Sequence, residues 1–146
     1  MNRGLIPENT HNDMAHRTKN AFDTTASEYD KDRFRLIPGH ESFYRWAVDL
    51  IPSDASRILD LGAGSGLMTE LVKRRFPEAS IHLIDFSGPM LDLARRRFGK
   101  NPRITYEQAD YLEASFPKKL DAVVSSLSIH HLSDTQKKKI FRKIHA

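Results

Sequence analysis

The sequence predicts an α/β fold built on a parallel sheet, and three observations carry that expectation. Short apolar runs alternate with segments of helical period, and the connections between them are brief. The first run, Ile58-Leu59-Asp60-Leu61, leads straight into Gly62-Ala63-Gly64-Ser65-Gly66, three glycines at alternate positions. A strand–helix–strand order with short links calls for parallel pairing, with helices on both faces of the sheet. Ligands of such sheets lie off the carboxyl ends of the strands, near the point where strand order reverses. The glycines stand at such an end.

The elements follow in order. Residues 1–17 are polar and aperiodic and read as a loose tail. From Thr18 to Phe34 the spacing of Ala21, Phe22, Ala26 and Tyr29 is helical, and Pro38-Gly39 interrupts it. The stretch "HESFYRWAVDLI" predicts a second amphipathic helix with Phe43, Trp46, Ala47 and Leu50 on one side, ended by Pro52-Ser53. Beyond the first strand, Leu67 to Phe76 is a helix with Leu67, Met68, Leu71 and Val72 turned inward. Ile81 to Ile84 is the second strand, followed by a helix from Pro89 to Phe98 with proline in its first turn. Ile104 to Tyr106 is the third strand and Ala122 to Leu127 the fourth. Ser133 is placed to cap a last helix whose inner face carries Ile140, Phe141 and Ile144.

Composition narrows the chemistry. With 146 residues the chain can bury a core, and with no cysteine it has neither a thiolate nucleophile nor a cysteine metal site. No apolar run is long enough to span a bilayer, and the first twenty residues lack the apolar core of a signal peptide. A cytoplasmic protein with no membrane partner is the expectation. The net charge of +4 comes with three basic runs, Lys73-Arg74-Arg75, Arg95-Arg96-Arg97 and Lys137-Lys138-Lys139, each late in or along a helix. Cations there complement the helix dipole. A nucleic-acid patch is the other reading, without interleaved aromatic residues to sharpen it.

Glycines at 62, 64 and 66 let backbone turn sharply and approach a ligand with no β-carbon between. The following helix offers unpaired N–H groups at its start. Position 67 is leucine, so a Gly-x-Gly-x-x-Gly dinucleotide pattern is absent, as is a Gly-Lys-Ser/Thr phosphate loop. Asp85 ends the second strand about twenty residues on, where a carboxylate can take the hydroxyls of a ribose. Asp110, after the third strand, sits at the equivalent edge, within reach of an adenine amino group. Either acid has a plainer use as a cap or turn former. Together with the glycine loop they suggest a nucleoside whose binding needs no phosphate-pairing cation.

Four blocks, "ILDLGAGSGLMTELV", "LIDFSGPMLDLARRRF", "ITYEQADYLE" and "LDAVVSSLSIHHL", resemble class I S-adenosylmethionine-dependent methyltransferases in order and spacing, from about Arg57 onward. The lead-in "FDTTASEYDKDRFRLIPGHESFYRWAV" resembles the helical cap of a branch acting on small molecules or the tRNA wobble base. The resemblance implies a Rossmann-like sheet of seven strands, of which only strands 1–4 are matched, preceded by an N-terminal helical cap. On that division residues 18–56 are the cap and 57–146 the cofactor-binding half.

The resemblance also implies S-adenosylmethionine as cofactor. Asp60, Gly62, Ala63, Gly64 and Gly66 would hold its methionine part and Asp85 its ribose. Phe86 and Met90 would pack on the adenine, with Asp110 and Tyr111 at its edge. The loop after the fourth strand, Ser126 to His130, would line the gap between the sulfonium and the acceptor. Tyr29 and Arg33 would close over the site from the first helix, Arg33 facing the methionine carboxylate. Each of these has a plainer role in packing or as a solvated charge. His130 is a weak catalytic candidate, as a general base. The pair His130-His131 is not expected to bind metal, because adjacent side chains diverge and no third ligand is near.

The activity implied is methyl transfer to a nucleophile not identified from the sequence, a small molecule or a tRNA. In the family's order the fourth strand is central, so here it would be an open edge, able to pair with a second copy or another chain. The expectation is therefore either a methyltransferase cut short after its fourth strand, or a non-catalytic domain that binds the nucleoside or a partner chain through that edge.

Overall fold

The structure, a computed structural model, describes residues 40–146. The expected tail, the helix over 18–34, Tyr29 and Arg33 lie outside the described residues.

Helix α1 (His40–Asp49) leads to β1 (Arg57–Leu61), α2 (Leu67–Arg75), β2 (Ser80–Asp85), α3 (Gly88–Phe98), β3 (Ile104–Gln108), β4 (Ala122–Val124), a single 3-10 turn at Ile129–His131, and α4 (Asp134–His145). The four strands form one parallel sheet in the order β3-β2-β1-β4. Strand order reverses between β1 and β4, so the glycine loop leaves β1 at the reversal, as the sequence predicts.

Period-two alternation sorts the strands into two cores. Ile58, Ile81 and Leu83 pack with Tyr44 and Val48 of α1, Met68 and Val72 of α2, and Leu91 and Ala94 of α3. Leu59, Leu61 and Ile84 pack on the other face with Tyr111, Leu112 and Ile140 of α4. Helices therefore cover both faces. Ile58, Leu59, Leu61, Ile81, Leu83 and Ile84 are completely buried, each contributing about 1.5–3 kcal/mol from the transfer of its side chain.

Helix ends follow local chemistry. Ser87 caps α3, its hydroxyl accepting the Met90 amide, and Pro89 takes an early position that needs no amide donor. Ser133 and Gln136 form a reciprocal capping box at the start of α4. Asp121 joins β4 to the start of β1: its carboxylate accepts the amides of Ser56 and Arg57 and the Ser56 hydroxyl, while its own amide donates to the Arg57 carbonyl.

Three expectations are corrected. Phe43, Trp46 and Leu50 share a side of α1, but it is the outer one, with exposures of 64%, 62% and 68%. The helix buries Tyr44 and Val48 instead, followed by Ile51. Strand β4 ends at Val124 rather than at Leu127, because the Ser125 hydroxyl turns onto the Leu61 carbonyl at 2.8 Å and Leu127 adopts φ of 53°, which extended backbone cannot accommodate. In α4, Ile140 is fully buried and Ile144 half-buried, whereas Phe141 is half exposed.

Candidate functional site

The carboxyl ends of all four strands meet at one edge of the sheet. The glycine loop fills its centre. The Ile84 carbonyl at the end of β2 accepts the amides of Gly62 and Ala63 at 2.8 and 3.2 Å, which draws the loop across toward β2. Gly62, Gly64 and Gly66 all have positive φ, at 66°, 56° and 84°. The requirement is sharpest at Gly62, where an added Cβ would stand 2.0 Å from the Ser128 Oγ. Backbone at Gly62 is bare because the loop after β4 packs directly on it.

Two buried carboxylates flank this loop, and one of them bonds it directly. Asp85, 6% exposed, accepts the Gly64 amide on Oδ2 and the Ser87 amide on Oδ1, each at 2.8 Å. It thus joins the glycine loop to the cap of α3. Asp60, 1% exposed, faces α2 from β1 and accepts the Thr69 hydroxyl at 2.6 Å. A buried carboxylate is tolerated only with such donors, which trade hydration for charge-assisted bonds.

The rim carries the other candidates. Met90 is buried at the start of α3, where its Cε would lie 3.1 Å from a Cβ at Gly64, and Phe86 is half-buried. Asp110 is exposed, and its Oδ1 accepts the Leu112 amide at 2.8 Å, so it shapes the turn after β3. Tyr111 is buried on the second core. Its hydroxyl lies 3.0 Å from the Ser128 Oγ, and its carbonyl accepts the Lys143 ammonium from α4. Burial pushes the Tyr111 phenol up, and the negative charges of Asp110 and Asp85 add to this against the opposing bond to Ser128. Tyr111 is a neutral hydroxyl at physiological pH. Ser126 is half-buried in the same loop.

His130 and His131 lie in the 3-10 turn after β4 and are both exposed. Their rings do not diverge as expected for neighbours: the centroids are 3.9 Å apart with the planes at 38°. Desolvation, and then the adjacent His130, hold His131 below the ordinary histidine value. Among the described residues no cluster of three or more His, Asp or Glu side chains is placed to hold a metal.

The structure thus brings Asp60, Gly62, Ala63, Gly64, Gly66, Asp85, Phe86, Met90, Asp110, Tyr111 and Ser126 to one edge of the sheet. Sequence reasoning missed Thr69 and Arg97, and it placed Ser128 only as part of the Ser126–His130 loop, without its contact to Gly62. Thr69 carries a weak signal as a polar residue on the inward side of α2. Ser128 stands in the hydroxyl-rich run Ser125-Ser126-Leu127-Ser128 at the strand end, within the loop expected at the site. Arg97 reads as a solvated helix-end cation, yet its guanidinium reaches the Ser65 carbonyl at 2.9 Å.

Comparison with known proteins agrees with this geometry. Residues 58–146 match the family model described as a methyltransferase domain. A demethylmenaquinone methyltransferase of Thermus thermophilus is 36% identical over 120 residues, covering 80% of this chain and 54% of that protein. An uncharacterized methyltransferase of Anoxybacillus flavithermus is 27% identical over 139 residues, covering 89% of this chain and 61% of that protein. An uncharacterized methyltransferase of Mycobacterium bovis is 35% identical over 88 residues, covering 60% of this chain and 43% of that protein. The chain therefore spans roughly half the length of these relatives. Among solved structures, a DhpI–SAM–HEP complex superposes with a TM-score of 0.70 at 18% identity, covering 97% of this chain and 62% of that one. A putative S-adenosylmethionine-dependent methyltransferase of Methanococcus maripaludis gives 0.68 at 20% identity, covering 98% and 62%. At those identities the likeness is one of fold, and it is the Rossmann-like fold that the sequence predicts. No described helix is long and apolar enough to cross a membrane. With its match running from the first residues of β1 to the last of α4, the chain belongs to the methyltransferase-domain family.

Proposed function

We propose that the described domain binds S-adenosylmethionine at the carboxyl edge of its sheet and serves the transfer of its methyl group to a nucleophile. The observation that supports this most is the bond between Gly64 and Asp85. It sets a bare, amide-rich turn beside a buried carboxylate at the reversal of strand order. The donor set suits an adenosyl group. Asp85 and Asp110 offer carboxylate oxygens to hydroxyls and amines, and no basic residue interrupts "LGAGSGL" to pair with a phosphate. Asp60 and the glycine loop take the methionine part in this reading, Asp85 the ribose, and Phe86 with Met90 the adenine.

When bound, the cofactor supplies a sulfonium methyl. A lone pair on the acceptor forms the new bond to that carbon as the carbon–sulfur bond breaks and its electron pair returns to sulfur. The chain's own contribution is position. A rigid site that holds the reacting atoms in line can be worth roughly 7–11 kcal/mol of barrier. Tyr111 and Ser128 offer neutral hydroxyls beside Gly62, and His130 and His131 stand at the same loop, where either can receive an acceptor proton.

The relatives' names cover unlike acceptors, demethylmenaquinone and malonyl-[acyl-carrier protein] among them. A shared fold does not choose between them. Thermal unfolding with added ligand tests the cofactor reading. S-adenosylhomocysteine at a hundredfold excess over its dissociation constant should add about 2.7 kcal/mol of stability. Adenosine triphosphate, whose phosphates meet no cation within the glycine loop, should leave the midpoint unmoved. Equal shifts by both, or none by either, would contradict the reading.

A further inference from the structure

At the glycine loop the carboxyl end of α3 meets the start of α2. The Arg97 Nε donates to the Ser65 carbonyl at 2.9 Å, and its NH1 donates to Glu70 of α2 at 2.7 Å. Glu70 is held in turn by Arg74 at 2.6 Å on its other oxygen. Next in sequence, the Phe98 ring lies so close under Gly66 that a Cβ there would stand 2.6 Å from it. The Arg97 side chain is 24% exposed, against 47% for Arg95, so it is unlike a solvated helix-end charge.

The consequences fall on the loop. Ser65 itself is fully buried, and the amide next to it, Gly66, donates to the Ala63 carbonyl. Fixing the Ser65 carbonyl fixes the peptide plane that joins Ser65 to Gly66. Asp85, at the end of β2, fixes the plane before Gly64. The five-residue turn is thus gripped at two points, from β2 by a carboxylate and from α3 by a guanidinium. A planar guanidinium holds its donors to a carbonyl and a carboxylate in one fixed geometry, whereas a lysine ammonium is a point charge on a flexible stem.

We infer that Arg97, clamped by Glu70 and backed by Phe98, is a positioning residue that holds the Gly62–Gly66 loop in its ligand-ready form. It touches no ligand and acts through Ser65. The inference rests on the cofactor reading for its affinity arm alone.

The test uses the full 146-residue chain as wild type, Arg97→Gln and Arg97→Lys. Amide hydrogen exchange in the ligand-free protein is read at Gly64 and Gly66, with Leu59 and Ile84 as strand controls. Affinity for S-adenosylhomocysteine is read in parallel. Arg97→Gln should speed loop exchange and weaken affinity by roughly tenfold, the scale of one lost charged hydrogen bond, with the strands unchanged. Arg97→Lys should fall between, and should keep the chain folded if the glutamine variant does not. Millimolar guanidinium chloride, against sodium chloride at equal strength, should restore both readings in Arg97→Gln. Unchanged loop exchange overturns the inference. So does exchange that rises equally in loop and strands, which would make Arg97 merely structural. If the wild-type chain binds no S-adenosylhomocysteine, the cofactor reading fails, and loop exchange alone supports or overturns the brace.

Discussion

Asp85 accepts the amide of Gly64 at 2.8 Å, and this one bond spans the two strand ends that define the site. The same carboxylate caps the turn into α3 through Ser87. It therefore serves the fold before any ligand arrives, and a ribose would meet a carboxylate already aimed by two backbone donors. Replacing Asp85 by Ala leaves two buried amides without an acceptor, at about 1–3 kcal/mol each. Urea unfolding should show a loss of that order, with Asp85→Asn losing less. A variant as stable as wild type would show that the amides find other acceptors.

Gly62→Ala tests the packing of the β4 loop on the glycine turn. Its Cβ would meet Ser128, and φ of 66° is costly for any residue with a β-carbon, by roughly 1–2 kcal/mol. The double variant with Ser128→Gly should recover the steric part and leave the backbone part. A double-mutant cycle in denaturant measures the coupling. Strictly additive losses would place Ser128 away from Gly62.

Asp121 links acid stability to the start of the sheet. Backbone bonds from Ser56 and Arg57, then the Ser56 hydroxyl, hold its carboxyl below the usual value of 3.8. A lowered folded pKa means that the unfolded chain takes up the proton first. The stabilisation is thus present above 3.8 and is lost as pH falls through the folded value. Asp121→Asn should lower stability at neutral pH and flatten the acid limb below 3.8. An unchanged acid limb would show that these bonds do not favour the charged form.

His131 carries a second pH dependence of the same sign. Its folded pKa lies below 6.5, so its contribution is full above 6.5 and fades as pH drops through the folded value. Proton titration by NMR should place the His131 ring below 6.5, and His130→Asn should move it back part of the way. A value at or above 6.5 would contradict both causes.

How much of this was legible in the sequence depends on whether a residue's partner is local. The alternation of strands and helices, the Ser133 cap and the glycine turn all declare themselves within a few residues. Helix α1 shows the limit of pattern. Phe43, Trp46, Ala47 and Leu50 form one apolar stripe, and Tyr44, Val48 and Ile51 form another beside it. Only the β1–β2 surface decides that the second is buried. Strand β4 reads three residues too long because Val124 and Leu127 look alike in sequence, while Ser125 leaves the ladder for a carbonyl sixty-four residues away. Within the site, Asp85 and the glycines follow from strand-end logic. Arg97 does not, since its target at Ser65 is thirty-two residues distant and its neighbours in sequence are ordinary surface cations.

The most direct measurement is a calorimetric titration of the 146-residue chain, wild type and Asp85→Ala, with S-adenosylhomocysteine. The account predicts saturable binding near one site per chain for wild type, weakened by at least about tenfold in the variant, as loss of a charged hydrogen bond implies. No heat from a demonstrably folded wild-type chain would contradict cofactor binding by this domain. Binding that Asp85→Ala leaves undiminished would contradict the site.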